Sequence, residues 1–565
     1  LVVGHLNILT ITFVPMLIGI AIDFGVHLIS RYEEELRHGR SEREALEKAL
    51  VNTGQGVFTG CFTTAGAFFA MALTDFKGIQ EMGIITGGGM IICLVPMVTI
   101  LPVLLLRGRQ NQLDHLPSSA GQERRARIEN LWLERPKVVL FVTAGLCLFC
   151  LARFPGVYFD YNLLHMQSAG LPAVVFEKKL VDTADKSVLY AAVVANSLPE
   201  AIALEAKLTN LTTVAGVDSM AHFLAEDQTR KLALIGRIKQ ELASLNFAPL
   251  DTRPVNVRDL SQTLTYLDGY ATLILEDVKK RADDPELLKS VTGLKRAVQE
   301  LAGRVANGDR ARASVKLAAY QQALFQDIHD TFSTIKAQDN SAPLQPADLP
   351  APLRNRFIGI TGKHLLQVNP KKDVWQRENQ EAFITEVRTV DPEVTGTPVQ
   401  LYEYTGLLKD SYIQAAWYAL GAIVILVFLH FRSPATVLLS LLPVAIGTIW
   451  MVGFMGWTGI PFNPANIMTL PLVIGIGVTN GIHILNRYAE EKNPSILAKS
   501  TGKAVFVSAL TTIAGFGSLI LAKHQGIQSL GAVMAVGTAT CMVASLTFLP
   551  ALLNLTGGMS KQKTQ

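Results

Sequence analysis

At 565 residues the chain is long enough for several domains. Of these residues 49% are hydrophobic and only 17% charged, with a mean hydropathy of +0.30, which excludes an ordinary soluble protein. A net charge of +4 is close to neutral and argues against a nucleic-acid partner.

In chain order, apolar runs long enough to cross a bilayer fall at about 10–30, 55–74, 79–106 and 137–153. A long polar region follows, and then runs at 413–431, 435–457, 466–486, 503–522 and 528–553, nine expected spans in all. Basic residues gather in alternate loops: Arg31, Arg37, Arg40, Arg43 and Lys48; then Arg107, Arg109, Arg124, Arg125, Arg127, Arg135 and Lys137; then Arg487, Lys492, Lys499 and Lys503. If every run crosses, these loops share one side, and the positive-inside rule makes it cytoplasmic. The expected layout is then the end of a first transmembrane half (1–106), a cytoplasmic linker (107–136), the first span of a second half (137–153), an outer, periplasmic domain (154–411), a five-span remainder (412–554) and a cytoplasmic tail (555–565).

Residues 41–52 predict a short amphipathic helix with Ala45, Leu46, Ala49 and Leu50 on one side, either on the cytoplasmic membrane face or as a solvated linker. In the outer region, residues 187–223 read as a βαβ unit whose helix is opened by Pro199 and Glu200. Residues 372–404 read similarly, with a helix at 376–388 and a strand at 397–404. Between them, 226–340 is charged and helical and reads as a hairpin inserted between two α/β halves. All five cysteines lie in apolar runs, including the Cys147/Cys150 pair, so they read as small hydrophobes and neither a metal nor another cofactor is expected.

A search for internal repeats organises the whole chain. With Pro471 set over Pro15, an offset of 456, PLVIGIGVTNGIHILNRYAEE lies over PMLIGIAIDFGVHLISRYEEE, and ten of twenty-one positions are identical. They include Gly19/Gly475, Gly25/Gly481, His27/His483, Arg31/Arg487, Tyr32/Tyr488 and Glu34/Glu490. The match resumes at an offset of 448, with Thr63-Thr64 over Thr511-Thr512, Gly78-Ile79-Gln80 over Gly526-Ile527-Gln528 and Leu101-Pro102 over Leu549-Pro550. Both copies run in the same direction, a parallel repeat about an axis along the membrane normal. The first copy lacks counterparts of what precedes the second, so about three spans and a second outer domain are expected ahead of Leu1.

The duplicated helical half, the large outer α/β domain and the Gly19-to-Asp23 GxxxD helix resemble the RND superfamily, and within it the MMPL-like, hydrophobe-exporting branch that includes hopanoid-biosynthesis-associated transporters. The Phe159-Asp160-Tyr161-Asn162-Leu163-Leu164 opening of the outer domain supports that placement. The resemblance implies a polytopic α-helical membrane protein with a periplasmic α/β domain carrying a helical insert. It also implies that the helices around Asp23 and Thr479 form a central pair.

Asp23 is the sharpest feature of the residues themselves. It lies well inside an apolar helix, where a charged carboxylate is costly and marks an ion pathway unless it serves as an interhelical hydrogen-bonding group. Gly19, Asp23, His27 and Arg31 recur every fourth residue, as do Gly475, Thr479, His483 and Arg487, so each helix carries one polar stripe headed by a glycine that permits close packing. The expected proton relay is Asp23, His27, Thr479, Asn480 and His483, with Gly19 and Gly475 packing beside it. Related drug exporters pair two acids with a lysine, and mycobacterial lipid exporters carry Asp-Tyr on both helices. Here Asp23-Phe24 faces Thr479-Asn480, a single carboxylate. The histidines read equally as proton shuttles or as neutral tethers. The Thr-Thr pairs are expected to bond to their own backbone, and Gly87, Gly88 and Gly89 to serve helix packing. No catalytic nucleophile–base pair appears.

These readings lead to a secondary transporter that draws on the proton gradient and exports a hydrophobic substrate, a hopanoid or similar lipid, from the bacterial inner membrane toward the outer one. A homo-oligomer and a periplasmic partner are expected. Two other classes fit the same features: a lipid- or sterol-sensing scaffold that pumps nothing, kept open by the single acid, and a SecDF-like aid to protein export.

Overall fold

The computed structural model describes residues 4–5, 7, 10, 13–107, 120–183, 187–224, 228–250, 252–281 and 285–562. The first copy of the repeat comprises α1 (Phe13–Arg37), α2 (Glu42–Lys48), α3 (Gly54–Met71) and α4 (Lys77–Arg107). The linker contains α5 (Ala120–Leu133), and α6 (Pro136–Leu151) enters the next membrane segment. Then come α7 (Pro172–Thr183), β1 (Ala191–Ala195), α8 (Leu198–Thr209), β2 (Val214–Ser219) and α9 (Met220–Leu224). The insert holds α10 (Gln228–Ala243), α11 (Val257–Arg281), α12 (Pro285–Asn307) and α13 (Arg310–Ala337). After it lie α14 (Ala351–Phe357), β3 (His364–Pro370), α15 (Arg377–Arg388), β4 (Thr395–Gly396) and α16 (Thr397–Phe431). The second copy closes with α17 (Pro434–Thr458), α18 (Thr469–Glu491), α19 (Ser500–Gly517), α20 (Gln525–Val543) and α21 (Leu549–Gln562).

Helices occupy all nine places read as spans. Among the described residues, seven helical segments are long and apolar enough to cross a membrane: Lys77–Arg107, Pro136–Gly156, Thr397–Phe431, Pro434–Thr458, Thr469–Glu491, Ser500–Leu521 and Gln525–Thr556. The glycines and threonines of α3 leave it outside that set. They also let it lie against its neighbours, as the site below shows.

The chain divides into two compact units, one of Leu1–Val194, Ala203–Asp218 and Leu366–Gln565, the other of Ala195–Ile202 and Ser219–Leu365. In the first, α18 is the central helix, buried from Thr469 through most positions to Arg487. Around it a core of Ile20, Phe24, Met90, Met451, Leu472, Phe516 and Met534 joins the two copies of the repeat. Helix α2, capped by Ser41 and Glu44, packs Ala45, Leu46 and the following Ala49 on Leu28, Tyr32 and Leu36 of α1. Its apolar side, with Leu50 partly buried beside it, is taken up by protein.

The strands form one sheet in the order β2-β3-β1-β4. The expected β1-α8-β2 unit is present, and β3, which the sequence pattern did not reveal, lies between its two strands. Strand β4 pairs antiparallel with β1, Ala191 opposite Gly396 and Ala192 opposite Thr395. Gly396 has φ +102°, and a side chain there would come within 2.7 Å of the Tyr190 carbonyl, so only glycine makes this pairing. The strand expected at 397–404 is helix instead. Pro398 supplies a preset first-turn φ, and α16 runs without interruption from Thr397 to Phe431, which also puts its start well ahead of the expected boundary at 412.

In the second unit the described residues of the insert form four helices, where the sequence reads as one hairpin. Val257, Leu264 and Ala271 of α11 and Val291, Val298 and Val305 of α12 recur at seven-residue intervals and are buried. Phe247 meets Phe325 and Phe332 of α13 edge-on or tilted, with ring centroids 6.0 and 5.6 Å away.

Candidate functional site

The polar stripes of α1 and α18 are buried in the first unit. Only 7% of Asp23, 2% of His27 and 3% of Arg31 is exposed, and Thr479, Asn480, His483 and Arg487 are equally enclosed. Unbranched spacing at every fourth position keeps each stripe on one side of its helix.

At the head of each stripe, a threonine from the other copy bonds the glycine carbonyl. Thr512 Oγ1 of α19 donates to Gly19 O at 2.9 Å, and Thr64 Oγ1 of α3 donates to Gly475 O at 3.3 Å. Thr512 and Thr64 are mates in the repeat, as are the two glycines. The expectation that both threonines of each pair bond to their own backbone therefore fails for the second member. It holds for Thr511, which donates to Ser508 O at 2.7 Å, while the Thr63 hydroxyl has no hydrogen-bond partner. A glycine carbonyl facing an empty Cα surface is reachable from a neighbouring helix, so the hydroxyl has a choice that sequence alone does not display.

One turn further the two stripes differ. Thr479 Oγ1 lies 3.2 Å from Thr64 Oγ1 and 3.3 Å from Gly475 O, so its single proton is directed to α3 or to its own helix. A Cβ at Gly60 of α3 would fall 2.8 Å from Thr479 Cγ2, which explains the glycine. Asp23 holds the matching place on α1. Its Oδ1 has no hydrogen-bond partner and lies 3.9 Å from His27 Nε2, which has none either. Among the described residues no hydrogen bond joins Asp23 to Thr479 or Asn480. Of the expected relay, then, Asp23 and His27 stand together, and Thr479 is directed elsewhere.

The next turn joins the copies again. His27 and His483 stack ring on ring, with centroids 3.7 Å apart and planes 15° from parallel. Gly56 of α3 lies against this pair, and a Cβ there would be 2.9 Å from His483 Nδ1. Asp23, His27 and His483 thus form a continuous run of titratable side chains through a buried region. Neither separation is a hydrogen bond: 3.9 Å parts Asp23 Oδ1 from His27 Nε2, and the two rings meet face to face.

Past the histidines the stripe ends in charge. Arg31 Nη2 pairs with Glu490 Oε1 at 2.7 Å, and Arg487 Nη2 pairs with Glu34 Oε2 at 2.9 Å. Each arginine also holds an acid four residues on along its own helix, Arg31 with Glu35 at 2.8 Å and Arg487 with Glu491 at 2.6 Å. The acids are supported in matching fashion: Asn52 donates to Glu490 at 2.8 Å and Ser500 Oγ to Glu34 at 2.6 Å. These carboxylates escaped sequence reasoning because they fall in the charged tail of each helix, which reads as a solvated loop. The identity of Glu34 and Glu490 in the repeat was the available signal.

Glu129 of α5 is a second residue the sequence did not single out. It is fully buried and accepts hydrogen bonds from Ser495 Oγ at 2.7 Å and from the amides of Ile496, Leu497 and Ala498 at 2.5, 2.7 and 3.1 Å. Gly87 and Gly89 meet Phe69 and Leu17 as packing glycines, whereas Gly88 faces open space. The cysteines are free, and no His/Cys/Asp/Glu group suited to a metal occurs among the described residues.

The MMPL family profile matches residues 2–141 and 372–565. The hopanoid transporter HpnN of Rhodopseudomonas palustris (strain TIE-1) is 29% identical over 574 residues, covering 98% of this chain and 62% of that protein. The hopanoid transporter HpnN of Burkholderia multivorans (strain ATCC 17616 / 249) is 26% identical over 563 residues, covering 98% and 61%. The chain therefore spans about three fifths of the length of these relatives. A crystal structure of SecDF in a super-membrane-facing form aligns with a TM-score of 0.45 and 12% identity, over 99% of this chain and 56% of that one. The relatives are transporters, the seven apolar helices are those of a multi-pass membrane protein, and the chain belongs to the MMPL family.

Proposed function

We propose that the chain is the larger part of a proton-driven secondary transporter that moves a hydrophobic substrate, a hopanoid or related lipid, out of the bacterial inner membrane toward the outer one. The Arg31 and Arg487 ends of the stripes face the cytoplasm, and the α/β region with its insert faces the periplasm. The single observation that carries this reading is Asp23, a carboxylate buried in an apolar helix with one unpaired oxygen 3.9 Å from His27. An isolated charge in such a place is costly, so the group is expected to take up and release a proton as its surroundings change. The stack of His27 on His483 extends the route across the repeat. Proton occupancy would then bias one transmembrane half against the other, as in other repeat-built transporters. The HpnN relatives supply the substrate class, and nothing in the relay asks for a cofactor beyond the proton gradient.

Replacing Asp23 with Asn in the full-length protein keeps the shape and removes the titration. Lipid delivery to the outer membrane should fall to near background, and undiminished delivery would end the proton-relay reading. A second reading, a lipid-sensing scaffold without pumping, draws on the engagement of Thr479 with Thr64, which leaves Asp23 without a second polar partner from α18. It predicts normal behaviour of the Asn variant in lipid binding and no proton movement in the parent.

A further inference from the structure

We propose that the crossed pairs Arg31–Glu490 and Arg487–Glu34 form a cytoplasmic gate over the His27–His483 stack, one that opens by releasing the bonds between repeat copies while each arginine keeps the acid on its own helix.

Arg31 and Arg487 are 3% and 5% exposed in their side chains, and an unpaired guanidinium at that depth is strongly disfavoured. Each, however, has two kinds of partner. Glu35 and Glu491 lie one turn along on the same helix and move with their arginine. Glu490 and Glu34 come from the other copy. Sliding α1 against α18 therefore breaks two bonds and leaves neither arginine alone. A charged contact with that property can exist in two arrangements, as an element that switches must. A contact holding each arginine by the crossed acid alone would act as a fixed rivet.

Position supplies the second observation. A polar cleft is lined by Asn52, Thr53, Asn486, Arg487, Glu490 and Thr501 together with His27 and His483. Two members of the crossed pairs, Arg487 and Glu490, thus share the cleft lining with the more deeply buried histidine stack. Asn52 and Ser500, mates in the repeat, each hold one crossed acid in place. Ser500 lies two residues beyond the Ile496–Ala498 amides that bind Glu129, so the linker helix α5 fastens the same loop. Opening the crossed pairs would widen the cleft and bring water from the cytoplasm to the histidines. The gate rests on the proton-relay reading for what passes through it, and on geometry alone for whether it opens.

The test uses the full-length protein in inside-out membrane vesicles, with Thr501→Cys as the reporter and a membrane-impermeant maleimide as the probe. In the parent, labelling should be slow. Glu34→Gln and Glu490→Gln should each raise its rate at least about fivefold, as expected when one bond of a two-bond closure is removed. Glu47→Gln, at an exposed position of α2, should change it by less than twofold. Ser500→Ala and Asn52→Ala leave every charge in place and serve where a glutamine variant fails to fold; each should raise labelling two- to threefold. Labelling that responds to none of these changes overturns the gate, even if Asp23 proves essential. Labelling that responds as stated supports the gate, even if Asp23→Asn leaves transport untouched and the relay reading falls.

Discussion

Along α1 and α18 the glycine, histidine, arginine and glutamate positions coincide, and their contacts coincide too. Thr512 bonds Gly19 as Thr64 bonds Gly475, the histidines stack on one another, and each arginine crosses to the other copy's glutamate. One turn breaks the match. Asp23 stands where α18 has Thr479, and Asp23 has an oxygen without a hydrogen-bond partner while Thr479 is bonded to Thr64. Matched positions hold the copies together, and the unmatched turn is where the proposed relay has its carboxyl group.

The comparison breaks most visibly at the arginines. Arg31→Gln and Arg487→Gln each remove a buried guanidinium that binds acids of both copies, and each should cost about 1.5–3 kcal/mol of stability. Because the crossed pairs are repeated, with Glu35 keeping Arg40 and Lys48 and Glu491 keeping Lys499, the two losses should agree within about 1 kcal/mol in denaturant unfolding of the purified protein. A large loss at one position and none at the other would show that the likeness is only geometric.

Smaller effects sharpen it at the stripe heads. Thr512→Val removes the interhelical bond to Gly19 O, and Thr64→Val the bond to Gly475 O and the contact with Thr479; each should cost about 0.6–1.7 kcal/mol. Thr63→Val should cost nothing measurable, since that hydroxyl has no partner. Equal losses at Thr63 and Thr64 would count against the glycine-carbonyl bonds.

The smallest effect lies in the α/β region, outside the repeat. The Thr213 hydroxyl, with the Thr213 and Thr212 amides and the Thr212 hydroxyl, holds the Glu386 carboxyl down to about 2. A depressed carboxyl adds stability that is fully present above its ordinary value of 4.5 and fades as pH falls from there through about 2. Glu386→Gln should lower thermal stability slightly at neutral pH and flatten its decline between those values. An unchanged acid limb would assign that decline to other groups.

Much of the fold was legible because lipid imposes long apolar runs and the repeat fixes their grouping. The βαβ unit showed itself through alternation and the Pro199–Glu200 helix start. Strand β3 did not, because His364–Pro370 is buried at nearly every position and so lacks the alternation of a half-exposed strand. The start of α16 was misread because Thr397–Tyr404 is rich in residues that favour strands, and only its continuity with a membrane helix decides the matter. In the site, spacing by four revealed both stripes, and their resemblance to a central helix pair put them face to face. The partner of each side chain was another matter. Thr64 reaches across to a glycine carbonyl and Glu34 to Arg487, choices made by helices more than four hundred residues apart in sequence.

The most direct test is proton movement itself. Reconstituted in proteoliposomes with a hopanoid, the full-length protein should show lipid-dependent proton flux that Asp23→Asn abolishes and Thr479→Ala leaves largely intact. Flux that survives loss of the carboxyl group, or that depends equally on both positions, would contradict the assignment of the proton to the single unmatched turn.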